Sequence, residues 1–169
     1  MTVLLTGGSA NGKSTFAERL LAALPQPQYY LFAMKPYGDG ANAKIARHQE
    51  MRRGKGFIEL ERYSDVGGAP VAPGSSVLLE CLCNLTANEM YDDVGNEREV
   101  FGKLYADVSR LRGACGNLVV VTNDVGSDCG GYDASTLRYV ETLGRLNSAL
   151  AADFDRVYEL VAGIAVRLK

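Results

Sequence analysis

Little in this chain is present in excess, and several common features are missing. Lysine and arginine number 18 against 20 aspartates and glutamates, for a formal net charge of −2. That balance gives no general attraction to nucleic acid or to an anionic membrane surface. No apolar run approaches the roughly 20 residues that span a bilayer. No basic leader precedes the first apolar run. Neither a transmembrane nor a secretory segment is therefore expected, and the expected compartment is the cytoplasm. Histidine occurs once, at His48. The four cysteines are Cys81, Cys83, Cys115 and Cys129. The first two form a CxC pair rather than CxxC, and no second pair complements them. Buried free thiols are expected rather than a structural zinc site. No internal repeat or low-complexity tract is present, which excludes solenoids and linkers. What is left is ordinary: 169 residues, 47% hydrophobic and 22% charged, suited to one domain with a full core.

Against this background one segment is chemically specific. Gly7-Gly8-Ser9-Ala10-Asn11-Gly12-Lys13-Ser14 has the form GxxxxGK[ST]. It follows the apolar run Val3-Leu4-Leu5 and precedes a helical pattern beginning near Thr15. A strand delivers such a loop, and its glycines let backbone N–H groups close around a phosphate. The helix N-terminus adds partial positive charge. Lys13 is placed to reach the β- and γ-phosphates, and the Ser14 hydroxyl to ligate Mg²⁺. A nucleoside triphosphate is the expected ligand.

Hydrophobic spacing orders the rest. Phe16, Leu20, Leu21 and Leu24 fall on one helix face, and Pro25 ends the pattern. Strands are expected at 29–33, weakly at 57–60, and at Val77-Leu78-Leu79, which ends in Glu80. Loop residues cluster at Gly67, Gly68, Pro70, Pro73 and Gly74. Helices are expected at 41–51 and 82–90. Another carries Val100, Phe101, Leu104, Tyr105, Val108 and Leu111 on its apolar face. The run Leu118-Val119-Val120-Val121 reads as a central strand covered on both faces. Leu137, Val140, Leu143, Leu146 and Leu150 mark the longest helix, and two closing strands flank a turn at Gly163. Strands alternating with helices predict an α/β fold: a mostly parallel sheet with helices on both sides, in one domain over 1–169.

Two further residues carry potential chemistry. Glu80 ends a predicted buried strand, the edge where open α/β sheets bind ligands. A carboxylate there suits Mg²⁺ or its bound water, although an acid in a first helical turn explains the same position. Asp124, after Thr122 and Asn123, is the competing candidate, and both can contribute. On a helix over 41–51, Lys44, His48 and Arg52 share a face, with Arg47, Arg53 and Lys55 nearby. Neighbouring cations disfavour imidazolium, and a neutral imidazole can attack phosphorus to form a phosphoramidate. A solvated basic helix with an incidental histidine accounts for the same residues.

The ordered set of segments resembles the adenosylcobinamide kinase/adenosylcobinamide-phosphate guanylyltransferase family of cobalamin synthesis, over nearly the whole length. The carrying residues are Leu4-Leu5-Thr6-Gly7-Gly8-Ser9 through Gly12-Lys13-Ser14, then Lys44-Ile45-Ala46-Arg47-His48 with Arg52. Phe57 to Glu61, Leu78-Leu79-Glu80-Cys81 and Thr122-Asn123-Asp124-Val125-Gly126 follow, with Asn147 and Ala162-Gly163-Ile164. The resemblance implies a P-loop NTPase fold like that of recombination ATPases (RecA-like), assembled as a homotrimer. It implies that His48 carries guanylyl and that Lys13 acts in catalysis. It further implies nucleotide contacts along 7–14 and at Phe32, Ala33, Met34, Gln49, Glu50, Met51, Arg52, Glu61 and Glu80. Two reactions are implied. First, ATP or GTP phosphorylates adenosylcobinamide with Mg²⁺ held through Ser14 and Glu80. Then GMP passes from GTP through His48 to adenosylcobinamide phosphate. Three segments depart from the family pattern: Phe32-Ala33-Met34 lacks a threonine, Phe57 stands where tryptophan is usual, and 127–132 replaces Gly-Ile-Val-Pro. A P-loop kinase of other specificity and an inactive nucleotide-binding regulator are the competing functions.

Overall fold

Unbroken apolar runs dominate the strands, and the architecture explains them. Successive strand residues point to opposite faces of a sheet, so an unbroken run needs cover on both. The computed structural model describes residues 1–35, 54–91, 97–126 and 130–169. Within them β1 (Thr2–Thr6), α1 (Lys13–Ala22), β2 (Gln28–Phe32), β3 (Ile58–Glu61) and β4 (Ser76–Glu80) are followed by α2 (Leu82–Met90) and α3 (Phe101–Ala114). Then come β5 (Asn117–Val121), α4 (Ala134–Asp153), β6 (Arg156–Val161) and β7 (Ile164–Arg167). One sheet has the order β3-β2-β4-β5-β1-β6-β7, parallel throughout except for the antiparallel pair β6–β7. The α/β expectation therefore holds. The helix expected at 41–51 lies outside the described residues.

The two faces separate by alternation. Val3, Leu5, Tyr30, Phe32, Leu78, Val119 and Val121 meet Ala17 and Leu21 of α1. Leu4, Leu31, Val77, Leu79, Leu118 and Val120 meet α2, α3 and α4 through residues such as Leu82, Leu85, Leu104, Leu111, Leu143 and Leu146. Each of these fully buried leucines contributes roughly 1.5–3 kcal/mol relative to exposure.

Three expectations shift. The buried stripe of α1 is Lys13, Ala17, Glu18 and Leu21, while Phe16, Leu20 and Leu24 flank it half-buried. The helix also begins at Lys13, two residues before the apolar pattern, because the phosphate loop itself supplies its first turn. Leu137 of α4 is 53% exposed rather than packed. At about 1.5 Å per residue a 20-residue helix outruns a five-residue strand at about 3.3 Å per residue, so its first turns overhang the sheet. The expected glycine turn joins β6 to β7, with Ala162 at φ 49° and Gly163 at φ 82°. Positive φ at both central residues matches the twist of a tight hairpin.

Candidate active site

Parallel strands leave one edge where all their carboxyl ends emerge, and the phosphate loop rises there between β1 and α1. Gly7 has φ 129°, and a Cβ on it would lie 2.4 Å from the Leu160 carbonyl oxygen of β6. Only glycine fits so close to a neighbouring backbone. Gly12, at φ 85°, is the N-cap of α1 and offers no side-chain cap. The first amides of this ten-residue helix are therefore left for an anion.

Lys13 is buried and curls back over its own loop, donating to the carbonyls of Gly7 at 2.8 Å and Gly8 at 2.6 Å. Burial lowers its pKa, and Cys83, Cys81 and Glu80 partly restore it. A flexible ammonium held on two carbonyls at the mouth of an anion cradle can transfer to a phosphate oxygen.

Because α1 packs across β5 onto β4, Ser14 faces the end of β4. Its hydroxyl donates to Glu80 Oε1. The second oxygen, Oε2, is buried and accepts no hydrogen bond among the described residues. Burial pushes the Glu80 carboxyl up to about 7; the Ser14 bond opposes this, Glu18 adds to it, and Lys13 opposes it. A hydroxyl beside a carboxylate with an unpaired oxygen is the hard-donor set a divalent cation takes.

Asp124, the competing acid, is exposed, and its backbone N–H donates to the Gly7 carbonyl at 3.3 Å. Among the described residues it therefore braces the loop, while Glu80 reaches Ser14. Ser9 and Ala10 are exposed at the loop tip, and Gly8 and Asn11 are half-buried. Phe32 and Ala33 are buried. The Phe32 carbonyl accepts from Arg62 N, and Ala33 N donates to the Glu80 carbonyl. Met34 beyond them is half-buried. Glu61 is exposed and accepts from the Tyr63 hydroxyl at 3.0 Å. His48, Gln49, Glu50, Met51 and Arg52 lie outside the described residues, as do Lys44, Arg47 and Arg53. Lys55 pairs with buried Glu18 on α1.

The sequence pattern did not single out Glu18, although it stands one helical turn after Ser14. It also missed Asn88, which bonds the carbonyls of Ala33 and Tyr63. Asn147, which the resemblance included, accepts from Thr122 Oγ1 at 2.8 Å and so steadies the end of β5. The free thiol of Cys83 accepts from Asn123 N at 3.1 Å. A hydrogen bond from Cys81 holds Cys83 below the usual thiol range and raises Cys81 above it.

The chain has known relatives. The chain is 29% identical over its full length to the full-length "Bifunctional adenosylcobalamin biosynthesis protein CobU" of Salmonella typhimurium. It is 28% identical, over all of itself and 98% of the relative, to the "Bifunctional adenosylcobalamin biosynthesis protein CobP" of Pseudomonas aeruginosa. In fold it is similar to a prototypical ATPase of a bacterial type III secretion system. That match has a TM-score of 0.52 at 13% identity, covering 95% of this chain and 51% of the other. The family described as cobinamide kinase / cobinamide phosphate guanyltransferase matches residues 3–168. A phosphate loop whose serine meets a strand-end carboxylate, carried through the length of that match, makes the chain a member of this kinase and guanylyltransferase family.

Proposed function

We propose that this protein catalyses two successive reactions on a corrinoid: phosphorylation of adenosylcobinamide by ATP or GTP, then transfer of GMP from GTP to the phosphate so made. The observation that carries this is the meeting of Lys13, Ser14 and Glu80 at the mouth of the phosphate loop, in a chain of this family.

In the first reaction the substrate hydroxyl attacks the γ-phosphorus and the nucleoside diphosphate leaves, with release of the hydroxyl proton. The amides opening α1 bind the phosphates, and Lys13 moves from the Gly7 and Gly8 carbonyls onto oxygens that gain charge in the transition state. Ser14 Oγ and Glu80 would hold Mg²⁺, and the unpaired Oε2 fits that role. When bound, the ion would supply charge neutralisation for the transferring phosphate. In the second reaction the His48 imidazole attacks the α-phosphorus of GTP and pyrophosphate leaves. A phosphate oxygen of the corrinoid then displaces histidine, giving adenosylcobinamide-GDP. Phe32 to Met34, Gln49 to Arg52 and Glu61 line the nucleotide in this proposal. The protein works in the cytoplasm as a homotrimer, without nucleic acid.

Intact-mass measurement after GTP and Mg²⁺ tests the transfer half. The expected result is one added GMP, lost in acid and absent in His48→Ala. Wild-type protein that never gains this mass refutes the transferase assignment. A γ-phosphate transferred to some other alcohol, with no enzyme-bound nucleotide, identifies a kinase of different specificity.

A further inference from the structure

The carbonyls at the end of a strand need partners once the ladder stops. At the site edge this need falls on β2 and β3. Arg62 N donates to the Phe32 carbonyl and Ala33 N to the Glu80 carbonyl, the last rungs on either side of β2. The next carbonyl along, that of Ala33, receives Asn88 Nδ2 at 2.6 Å. The same nitrogen donates to the Tyr63 carbonyl at 3.1 Å, just past β3. Asn88 stands on α2, two turns after the strand that ends in Glu80. One primary amide thus pins two strand exits to the helix that follows Glu80. An amide group has two donor hydrogens, so it can serve both carbonyls at once.

We infer that Asn88 is a positioning residue of the nucleotide site, holding the exits of β2 and β3 in the geometry that Met34 and Glu61 need to meet the nucleotide. This rests on the reading that the nucleotide runs along the sheet edge from the phosphate loop. In the strand order, β2 lies three ladder spacings from β1, roughly 14 Å at about 4.8 Å each, within reach of an extended nucleotide. The Asn88 amide bonds the Ala33 and Tyr63 carbonyls and not Lys13, Ser14 or Glu80, so its loss acts on nucleotide binding rather than on phosphoryl transfer.

Three variants separate this role from simple packing. Asn88→Asp keeps the shape but turns an acceptor toward both carbonyls, and Asn88→Ala removes the group. Tyr91→Phe removes a different tie, the hydroxyl bond to Ser135 from the residue that follows α2, and serves as the control. The kinase reaction is followed with GTP as phosphate donor, and binding with a fluorescent GTP analogue. The expected KM for GTP rises at least tenfold in Asn88→Asp, by less in Asn88→Ala, and not in Tyr91→Phe, with kcat within about twofold in all three. A packing role reverses the first two, sparing the isosteric aspartate, and overturns the inference. So does an unchanged KM in either Asn88 variant. If Asn88→Asp does not fold, Asn88→Ser, whose shorter hydroxyl serves at most one carbonyl, is expected to raise KM at least threefold; wild-type KM in that variant overturns the inference equally. Wild-type protein that binds no nucleotide refutes the proposed function instead, and the two failures are therefore distinct.

Discussion

Glu80 concentrates the conflict between folding and function in one side chain. Its carboxyl is buried against α1 with one oxygen unpaired among the described residues, and burial pushes it up to about 7 from an ordinary 4.5. Between those values the folded chain carries a proton that the unfolded chain has released, so stability falls as pH rises through this window. The contribution is full below about 4.5 and lost above about 7. Without nucleotide or metal, wild-type protein should therefore lose melting temperature relative to Glu80→Gln as pH is raised from 4.5 to 8. Parallel melting curves for the two would remove this account of the site. A cation needs the carboxylate, so cation binding should strengthen over the same interval. The phosphate loop was legible in the sequence because its residues act within one short stretch. Glu18, Asn88 and the Ser14–Glu80 contact were not: their partners stand 37, 55 and 66 positions away, and only folding brings them together.

The strands and helices follow from period and composition. The run Leu118-Val119-Val120-Val121 reads correctly as a doubly covered strand, since every residue has a buried destination on one face or the other. Helix burial was less legible, because periodicity identifies an apolar stripe without saying how far the neighbouring layer extends. On α4, Leu143 is buried against the sheet while Leu137 overhangs it. Leu143→Ala should cost about 2–5 kcal/mol in urea unfolding, and Leu137→Ala within about 0.5 kcal/mol. Equal losses would show that the overhanging turns are packed after all. Asp133 caps this helix by accepting from Thr136 N at 2.8 Å, a local device that sequence spacing can express.

At the scale of the whole molecule the fold places a glycine-lined loop beside a buried acid. Ligand binding to the folded state alone raises stability by about 2.7 kcal/mol at 100 times Kd. GTP with Mg²⁺ should accordingly raise the melting temperature of wild-type protein, and Lys13→Ala should abolish most of that rise. An equal rise in both would place the nucleotide elsewhere. Among the described residues no helix is long and apolar enough to cross a membrane.

The sequence alone determined which of the described segments become strands and which become helices, and where the glycine-lined loop stands between β1 and α1. These depend on side-chain period, glycine freedom and backbone amides within one stretch of chain. Tertiary structure decided the strand order, and with it the chemistry. β5 lies between β1 and β4, and α1 crosses it. That crossing brings Ser14 to Glu80 and leaves the buried second carboxylate oxygen without a hydrogen bond among the described residues. Strand order is set by which long connections pack over which face, a choice made by the whole core at once.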